Sequence, residues 1–503
     1  MSAVPTCLPR LGDGTLEAHV ASCSVPTYDR RRLTPSIVHF GVGKFHRSHQ
    51  AAYLDRLAES GRFLNWGVVG VGLRNRVVSD TLAAQDGLYT LVERDRAGES
   101  ARVIGSITRC LYGPDDPCAV LSALTDRRTR LVTLTITDGG YGVDPVTRRF
   151  GPVDAALAGD LEHPDVPSTV FGYIVEALAR RRRAGARPFT ILSCDNMPHN
   201  GDAARTAVLS FARLRDEPLA RWIEANVAFP SSMVDRITPE TTDADHRFVS
   251  EELGFEDGSP VVAEPFSQWI VEDDFCNGRP PLEEVGVQFV EDVEPYALMK
   301  TRLLNASHSA IGYLGHLAGY GRIDEAMEDP LLRGYVERLM ETEVAPLLPA
   351  VPGVELAEYR EQLLERFRNP MIADLLKRLC RRGSTKVPAY LLPSIREARR
   401  AGRRHDLLTL AVAAWLRYLR GVDRHGQRFA IEDALAGRLC PLARRAGTDP
   451  RPVLRQRDLF GDLGRDPEFA RAVQKALVAL DRRGVHGALR DVLAEGASHT
   501  LAA

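Results

Sequence analysis

The spacing of hydrophobic positions changes character once along the chain. Up to about residue 288, short β-branched runs alternate with segments of helical period. "SIVHF" (36–40), "WGVVGVGL" (66–73), "LYTLVER" (88–94), "ARVIGSI" (101–107), "RLVTLTIT" (130–137) and "PFTILSCD" (188–195) read as strands. Helices are predicted after the first strand, across 75–85, and before the strand at 188. "NVAFPSSMV" and "PVVAEPFSQWIVED" continue the strand-rich pattern. Strands alternating with helices predict a largely parallel sheet covered on both faces. From residue 289 the period is almost only helical, as in "LLRGYVERLMETEVAPLL" and "LLTLAVAAWLRYLRGV", with Pro and Gly as stops. The pattern predicts an α/β, doubly wound domain over 1–288 and a mostly α-helical domain over 289–503. The cleft between them is the default place for a ligand.

Composition narrows the class. At 503 residues the chain is too long for one core. A formal net charge of −2 gives no reason to expect nucleic acid or an anionic membrane as a partner. The arginine run at 180–183 closes a helical pattern, where cations suit a C-terminus, and is expected to be a solvated helix end. No window approaches a membrane span, and the N-terminus lacks the pattern of a signal peptide. Eight scattered cysteines without a CxxC pair suit reduced thiols, so a cytoplasmic location is expected.

"HFGVGKFHRSH" places Gly41 and Gly43 between a strand and a helix. A GxG there allows a tight turn and a close backbone approach to a pyrophosphate. The third glycine of GxGxxG is absent, so the loop alone fits either a nucleotide site or an ordinary turn. Arg47 is placed to meet a phosphate. The second strand runs into "GLRNRVVSD", with Arg74 and Arg76 and no acid before Asp80, which permits NADP as well as NAD. His46 and His49 form an HxxH, but without a third ligand no metal site is expected.

Lysine usage singles out one further residue. Of the 65 Lys and Arg, only Lys44, Lys300, Lys377, Lys386 and Lys475 are lysines. Arg cannot act as a base, whereas a desolvated Lys can. Lys300 lies in "MKTRLLNASHSA" with Asn305 and His308. On an ideal helix Lys300, His308 and Asn305 point at about 0°, 80° and 140°, on one side. Spacing alone leaves open a catalytic face or a satisfied polar cluster.

Six stretches together carry a resemblance: "GVGKFHRSHQAAY", "TDGGY", "SCDNMPHNG", "FPSSMVDRITP", "EPFSQWIVED" and "MKTRLLNASHSAIGYLG". In this order, from about residue 36 to past 420, they resemble the polyol-specific long-chain dehydrogenases of the mannitol dehydrogenase family. The resemblance implies an N-terminal Rossmann-type domain, a helical C-terminal domain, and metal-independent interconversion of a sugar alcohol and its ketose with NAD or NADP. Mannitol and fructose are the leading pair. D-arabinitol 4-dehydrogenation and fructuronate or tagaturonate reduction are the alternatives within the family. The resemblance makes Lys300 the general base, Asn196 and Asn305 the amides at the reacting oxygen, and His308 a hydrogen-bond partner of a neighbouring hydroxyl. Asp235, Arg378 and Lys386 match positions that hold the remaining hydroxyls. Gly41, Gly43, Phe45, Arg47 and Asp138 match the cofactor region, and Arg74 stands where the adenosine end is read. A monomer is implied.

Two departures accompany the resemblance. The acid that many NAD-preferring members carry after the second strand has no counterpart, and the segment there is shortened. The chain also reads "PYALMK", with Ala297 where the family often has Glu, so a carboxylate that could relay the lysine's proton is missing.

Overall fold

The structure is a computed structural model that describes residues 8–144, 149–151, 154–423 and 425–500. The chain divides into two compact units, Met1–Glu294 and Pro295–Ala503.

The first unit is built on strands β1 (Pro35–Phe40), β2 (Gly67–Gly72), β3 (Tyr89–Asp95), β4 (Gly98–Ile104), β5 (Ile107–Tyr112), β6 (Leu131–Leu134), β7 (Thr190–Ser193), β8 (Ser232–Asp235), β9 (Val261–Ala263), β10 (Gln268–Glu272) and β11 (Gln288–Val290). The central sheet runs β5-β2-β1-β6-β7, with every neighbouring pair parallel. Counted along the chain this is the 3-2-1-4-5 order of a Rossmann-type sheet, and it reverses between β1 and β6.

Alternation along β1 shows why its residues are so apolar. Val38 and Phe40 enter a core with Ile174, Leu178, Val208 and Phe211, from helices Val170–Arg183 and Asn200–Arg215. Ile37 faces the other way, into a core with Leu54 and Leu57 of helix Gln50–Glu59 and with Trp269. A sheet buried on both faces needs apolar residues at successive positions.

The segment "ARVIGSI" does not form one strand. Its first part joins β4 in an antiparallel hairpin with β3, and the chain enters the central sheet only at Ile107. Gly105 marks the break. Its N–H donates to the Asp55 carboxylate at 2.8 Å and its carbonyl accepts from Arg30 Nε at 2.9 Å. A Cβ there would lie 2.7 Å from Pro26 Cγ. These tertiary contacts override the β propensity of the run. The hairpin and β9 make one small sheet, and β11-β10-β8 another.

The arginine run also departs from expectation. Arg181 is buried, and its guanidinium donates to the carbonyls of Leu124, Asp126, Thr129 and Arg187 at 2.7–3.0 Å. It ties the end of helix Pro117–Thr125 to the start of β6. A planar fork of fixed donors can satisfy several carbonyls at once, which the charge pattern alone does not reveal.

The second unit is helical. Helix Glu294–Lys300 passes through a π-helical turn, Thr301–Asn305, into helix Ala306–Ala318. Gly312 and Gly315 of that last helix admit helix Leu376–Cys380: Cβ atoms there would sit 3.1 Å from Leu379 Cβ and 2.8 Å from Leu376 Cδ1. Gly383 is held as tightly, since a Cβ would meet Trp415 Nε1 at 2.4 Å and Tyr313 Oη at 2.5 Å. Such close approach fixes the backbone that carries Arg378 and Lys386.

Candidate active site

In the first unit the turns after β1, β2 and β6 enclose a cavity of about 530 Å³, at the carboxyl ends of the strands beside the switch point. Gly41, Gly43, Gly72, Arg74, Thr137 and Gly140 are among its lining residues. Gly41 has φ +97°, and a Cβ there would lie 2.2 Å from the Thr135 carbonyl oxygen. Only glycine permits this turn. The Thr135 hydroxyl donates back to the Gly41 carbonyl at 2.7 Å. Gly43 differs: its nearest neighbour would be 3.8 Å away, and Gly139 would meet nothing within 4 Å. Packing therefore requires Gly41, whereas Gly43 and Gly139 leave open room for a ligand to approach the backbone. That room fits a dinucleotide phosphate.

The floor of the cavity is braced by Asp195. Its carboxylate accepts from Ile136 N at 2.9 Å, Thr137 N at 2.8 Å and the Tyr141 hydroxyl at 2.7 Å. Thr137 sits at φ +66°, which is strained for a β-branched residue, and two of these bonds hold it there. Asn196 follows directly and is exposed at the end of β7. The Asn200 amide donates to the carbonyls of Asp195 at 2.9 Å and Ser232 at 2.8 Å, linking β7 to β8. Asp235 ends β8 and is buried.

Other expected cofactor residues lie elsewhere. Arg47 is only 3 % exposed and turns inward. Its guanidinium donates to the Ser259 carbonyl and lies 5.3 Å from the centroid of the Tyr89 ring, so it does not line the cavity. The expectation that it meets a phosphate is corrected: a buried guanidinium takes the nearest carbonyl and aromatic face. Phe45 packs on His49, with ring centroids 5.0 Å apart. Asp138 opens the turn Asp138–Tyr141, and its side chain lies outside the described residues. The HxxH pair is part of the interior. His46 stacks on His39 at 3.4 Å, and His49 Nε2 is 2.9 Å from the Gln268 carbonyl. Burial pushes His39 down to about 3 and His46 well below the usual histidine range, so both rings are neutral.

The second unit gathers a cationic cluster. Lys300 is 4 % and Asn305 7 % exposed. The π-helical turn between them changes the angular relation that the 3.6-residue period predicts. Its i→i+5 bonding brings residues five apart towards one face, where a regular helix separates them by about 140°. His308 is held well below the usual histidine range by burial first, then by Arg378, Arg366, Lys386 and Lys300. It is a neutral imidazole whose Nε2 is buried without a hydrogen-bond partner among the described residues. Phe367 packs against its ring at 4.6 Å. Arg378 Nε donates to Asp374 at 2.6 Å, and Lys386 Nζ donates to the Leu379 carbonyl at 3.0 Å. Burial, then the charge of Arg378, lowers the Lys386 ammonium to about 8.

The Rossmann domain of mannitol dehydrogenases matches residues 35–284, and the mannitol dehydrogenase C-terminal domain matches residues 292–481. The chain belongs to the mannitol dehydrogenase family. Mannitol dehydrogenase 2 of Saccharomyces cerevisiae is 45% identical over 97% of this chain and 98% of its own length. The mannitol 2-dehydrogenase of Phaeosphaeria nodorum is 45% identical over 94% of this chain and 84% of its own. Among solved structures, the ternary complex of Pseudomonas fluorescens mannitol 2-dehydrogenase with NAD and D-mannitol is similar at a TM-score of 0.90 and 42% identity, covering 96% of this chain and 99% of that one. A D-sorbitol dehydrogenase in substrate-free form follows at a TM-score of 0.85 and 38% identity, covering 95% and 100%.

Within this mannitol dehydrogenase family member, sequence reasoning missed Asp195, Asp374 and Arg366. Asp195 stands next to Asn196 inside a motif already singled out, so it was within reach. Arg366 carries no local signal, because only the packing of its helix, Leu356–Phe367, brings it to His308, whereas Asp374 stands four residues before Arg378, the spacing of a local ion pair.

Proposed function

We propose that the protein is an oxidoreductase that interconverts mannitol and fructose with NAD, using Lys300 as general base. The observation that carries this reading is the cluster around His308: a buried lysine and a buried amide beside a neutral imidazole with an unpartnered nitrogen, all among cations. A polyol offers hydroxyls that can meet such groups as donor or acceptor. The relatives at 45% identity named for mannitol favour mannitol and fructose over D-arabinitol or a uronate.

NAD, when bound, supplies the hydride acceptor, and the cavity at Gly41, Gly43 and Gly139 is the place that fits its phosphates. The chain's own residues do the rest. Unlike a guanidinium, the amine of a lysine can give up its proton and serve as a base. Lys300 takes the proton of the reacting hydroxyl in oxidation and returns it in reduction. The amides of Asn196 and Asn305 donate to the oxygen as it gains negative charge, a role that a metal ion fills in other alcohol dehydrogenases. His308 Nε2 pairs with a neighbouring hydroxyl, and Asp235, Arg378 and Lys386 hold the remaining ones.

Location and oligomeric state complete the proposal. Among the described residues no helix is long and apolar enough to cross a membrane. The seven described cysteines are all free thiols, which supports a reducing cytoplasmic compartment. A monomer is proposed, to be checked by sedimentation.

The test is a set of initial rates followed by nicotinamide absorbance, with fructose, xylulose and fructuronate as acceptors and EDTA present. Fructose is expected to turn over fastest, without loss in EDTA. Preference for fructuronate moves the substrate to a uronate, and inactivity with all three rejects the proposal.

A further inference from the structure

Arginine and lysine donate to hydroxyls and to carboxylates alike, so Arg378 and Lys386 suit a neutral polyol or a sugar acid. The group behind Arg378 distinguishes the two. Asp374 is only 2 % exposed, and its carboxylate accepts from Arg378 Nε at 2.6 Å and also from Nη2. This bidentate pair occupies one edge of the guanidinium. The Arg378 side chain itself keeps 31 % exposure, so it offers donors outward while its charge is balanced from behind.

The backbone holds that carboxylate in place. The Asp374 carbonyl accepts from Ile323 N and the Gly321 carbonyl accepts from Leu376 N, both at 3.0 Å. Arg322 and Leu375 form an antiparallel bridge between these contacts. Ala373 sits at φ +49°, a conformation that a residue with a Cβ adopts only when its surroundings impose it. Asp374 bears on Lys386 as well: its charge favours the ammonium that burial and Arg378 disfavour. One buried carboxylate therefore serves both cations.

We infer that Asp374 is a specificity residue: by pairing Arg378 it fits the cluster to a neutral polyol and against a sugar acid. The inference rests on the proposed polyol role of this cluster and adds a positioning residue, buried behind the groups that meet the ligand. A hydroxyl needs only a donor in a fixed place, which the paired guanidinium supplies. A ligand carboxylate needs net positive charge, which Asp374 withholds, and it meets repulsion from Asp374 across the shared guanidinium.

The test compares D-mannitol with D-mannonate, which differ only in one terminal group, a hydroxymethyl against a carboxylate. The full chain is titrated calorimetrically with each in the presence of NADH, which reduces neither. The wild type is expected to bind mannonate no tighter than mannitol. Asp374→Asn keeps the shape, removes the countercharge, and should raise the affinity for mannonate relative to mannitol about tenfold or more, the scale of one charge-assisted pair. Adding Arg378→Ala should remove that gain. In turnover, the ratio of kcat/KM for fructuronate to that for fructose should rise by a similar factor in Asp374→Asn, a gain that mere loss of structure does not produce. A wild type that binds mannonate more than about tenfold tighter than mannitol overturns the inference, whether or not the variant folds. So does an unmoved ratio in Asp374→Asn, or a gain that persists without Arg378. A shifted ligand ratio in a protein that turns over no fructose supports the role of Asp374 and rejects the proposed reaction. Fructose turnover with an unmoved ratio does the reverse.

Discussion

The two units make their candidate sites from opposite materials. The cavity of the first unit is made largely of backbone: glycines, a strained threonine and one carboxylate that braces the floor from below. The cluster of the second unit is made of charged side chains, with Lys300, Arg366, Arg378 and Lys386 around one neutral imidazole. A site of backbone recognises by closeness, so it fails when a methyl group is added. A site of buried charge works through proton positions and hydrogen bonds, so it fails when one group is removed while its shape is kept.

That contrast predicts different responses to small substitutions. The largest effect belongs to the charged cluster. Asn305→Ala should lower kcat by about 10²–10³, with nucleotide affinity unchanged, because the lost donor acts on charge that develops only in the transition state. Stopped-flow turnover and NADH titration measure the two quantities separately; an effect confined to KM would move Asn305 to substrate binding. In the glycine cavity two alanines should part company. Gly41→Ala forces a Cβ against the Thr135 carbonyl at an unfavourable φ and should cost about 2 kcal/mol or more in stability. Gly43→Ala should change stability by less than about 1 kcal/mol while still weakening NADH binding. Thermal unfolding with and without NADH distinguishes them, and equal loss of stability in both would undo the distinction between a glycine needed for packing and one needed by the ligand.

The smallest effect lies away from both sites. Glu343 is buried and accepts from Leu407 N and Leu408 N, each at 2.9 Å. Burial raises its carboxyl from 4.5 to about 7. The folded chain therefore keeps a proton that the unfolded chain releases, and this contribution to stability is lost as pH rises from about 4.5 through about 7. Glu343→Gln should flatten that part of the Tm profile. An unchanged slope would assign it to other groups, of which Asp55, raised to about 6, is one.

How much of this the sequence revealed follows the same division. The glycine turn is local: strand, GxG and helix are contiguous, so Gly41 and Gly43 could be placed from spacing alone, and the parallel order followed from alternating elements. Arg47 was misplaced because its spacing says nothing of which way a buried guanidinium turns, and Ser259 and Tyr89 lie far along the chain. In the second unit Lys300, Asn305 and His308 are contiguous enough to find. Their relation was drawn on a regular helix, and the π-helical turn that alters it has no signature in hydrophobic period. Arg181 shows the same limit, since a run of four arginines at a helix end reads as solvated until the carbonyls that hold one of them are known.

The central claim is that Lys300 moves the proton, and its most direct test is the pH dependence of mannitol oxidation by the wild type and Lys300→Ala, with NAD(H) affinity measured alongside. The account predicts a wild-type kcat/KM that rises with pH along a single limb, as the base loses its proton. It further predicts a loss of about 10³–10⁴ in the variant, with that limb gone and NADH still bound. A variant that keeps the same limb, or loses less than about tenfold, would contradict it and assign the proton transfer to another group.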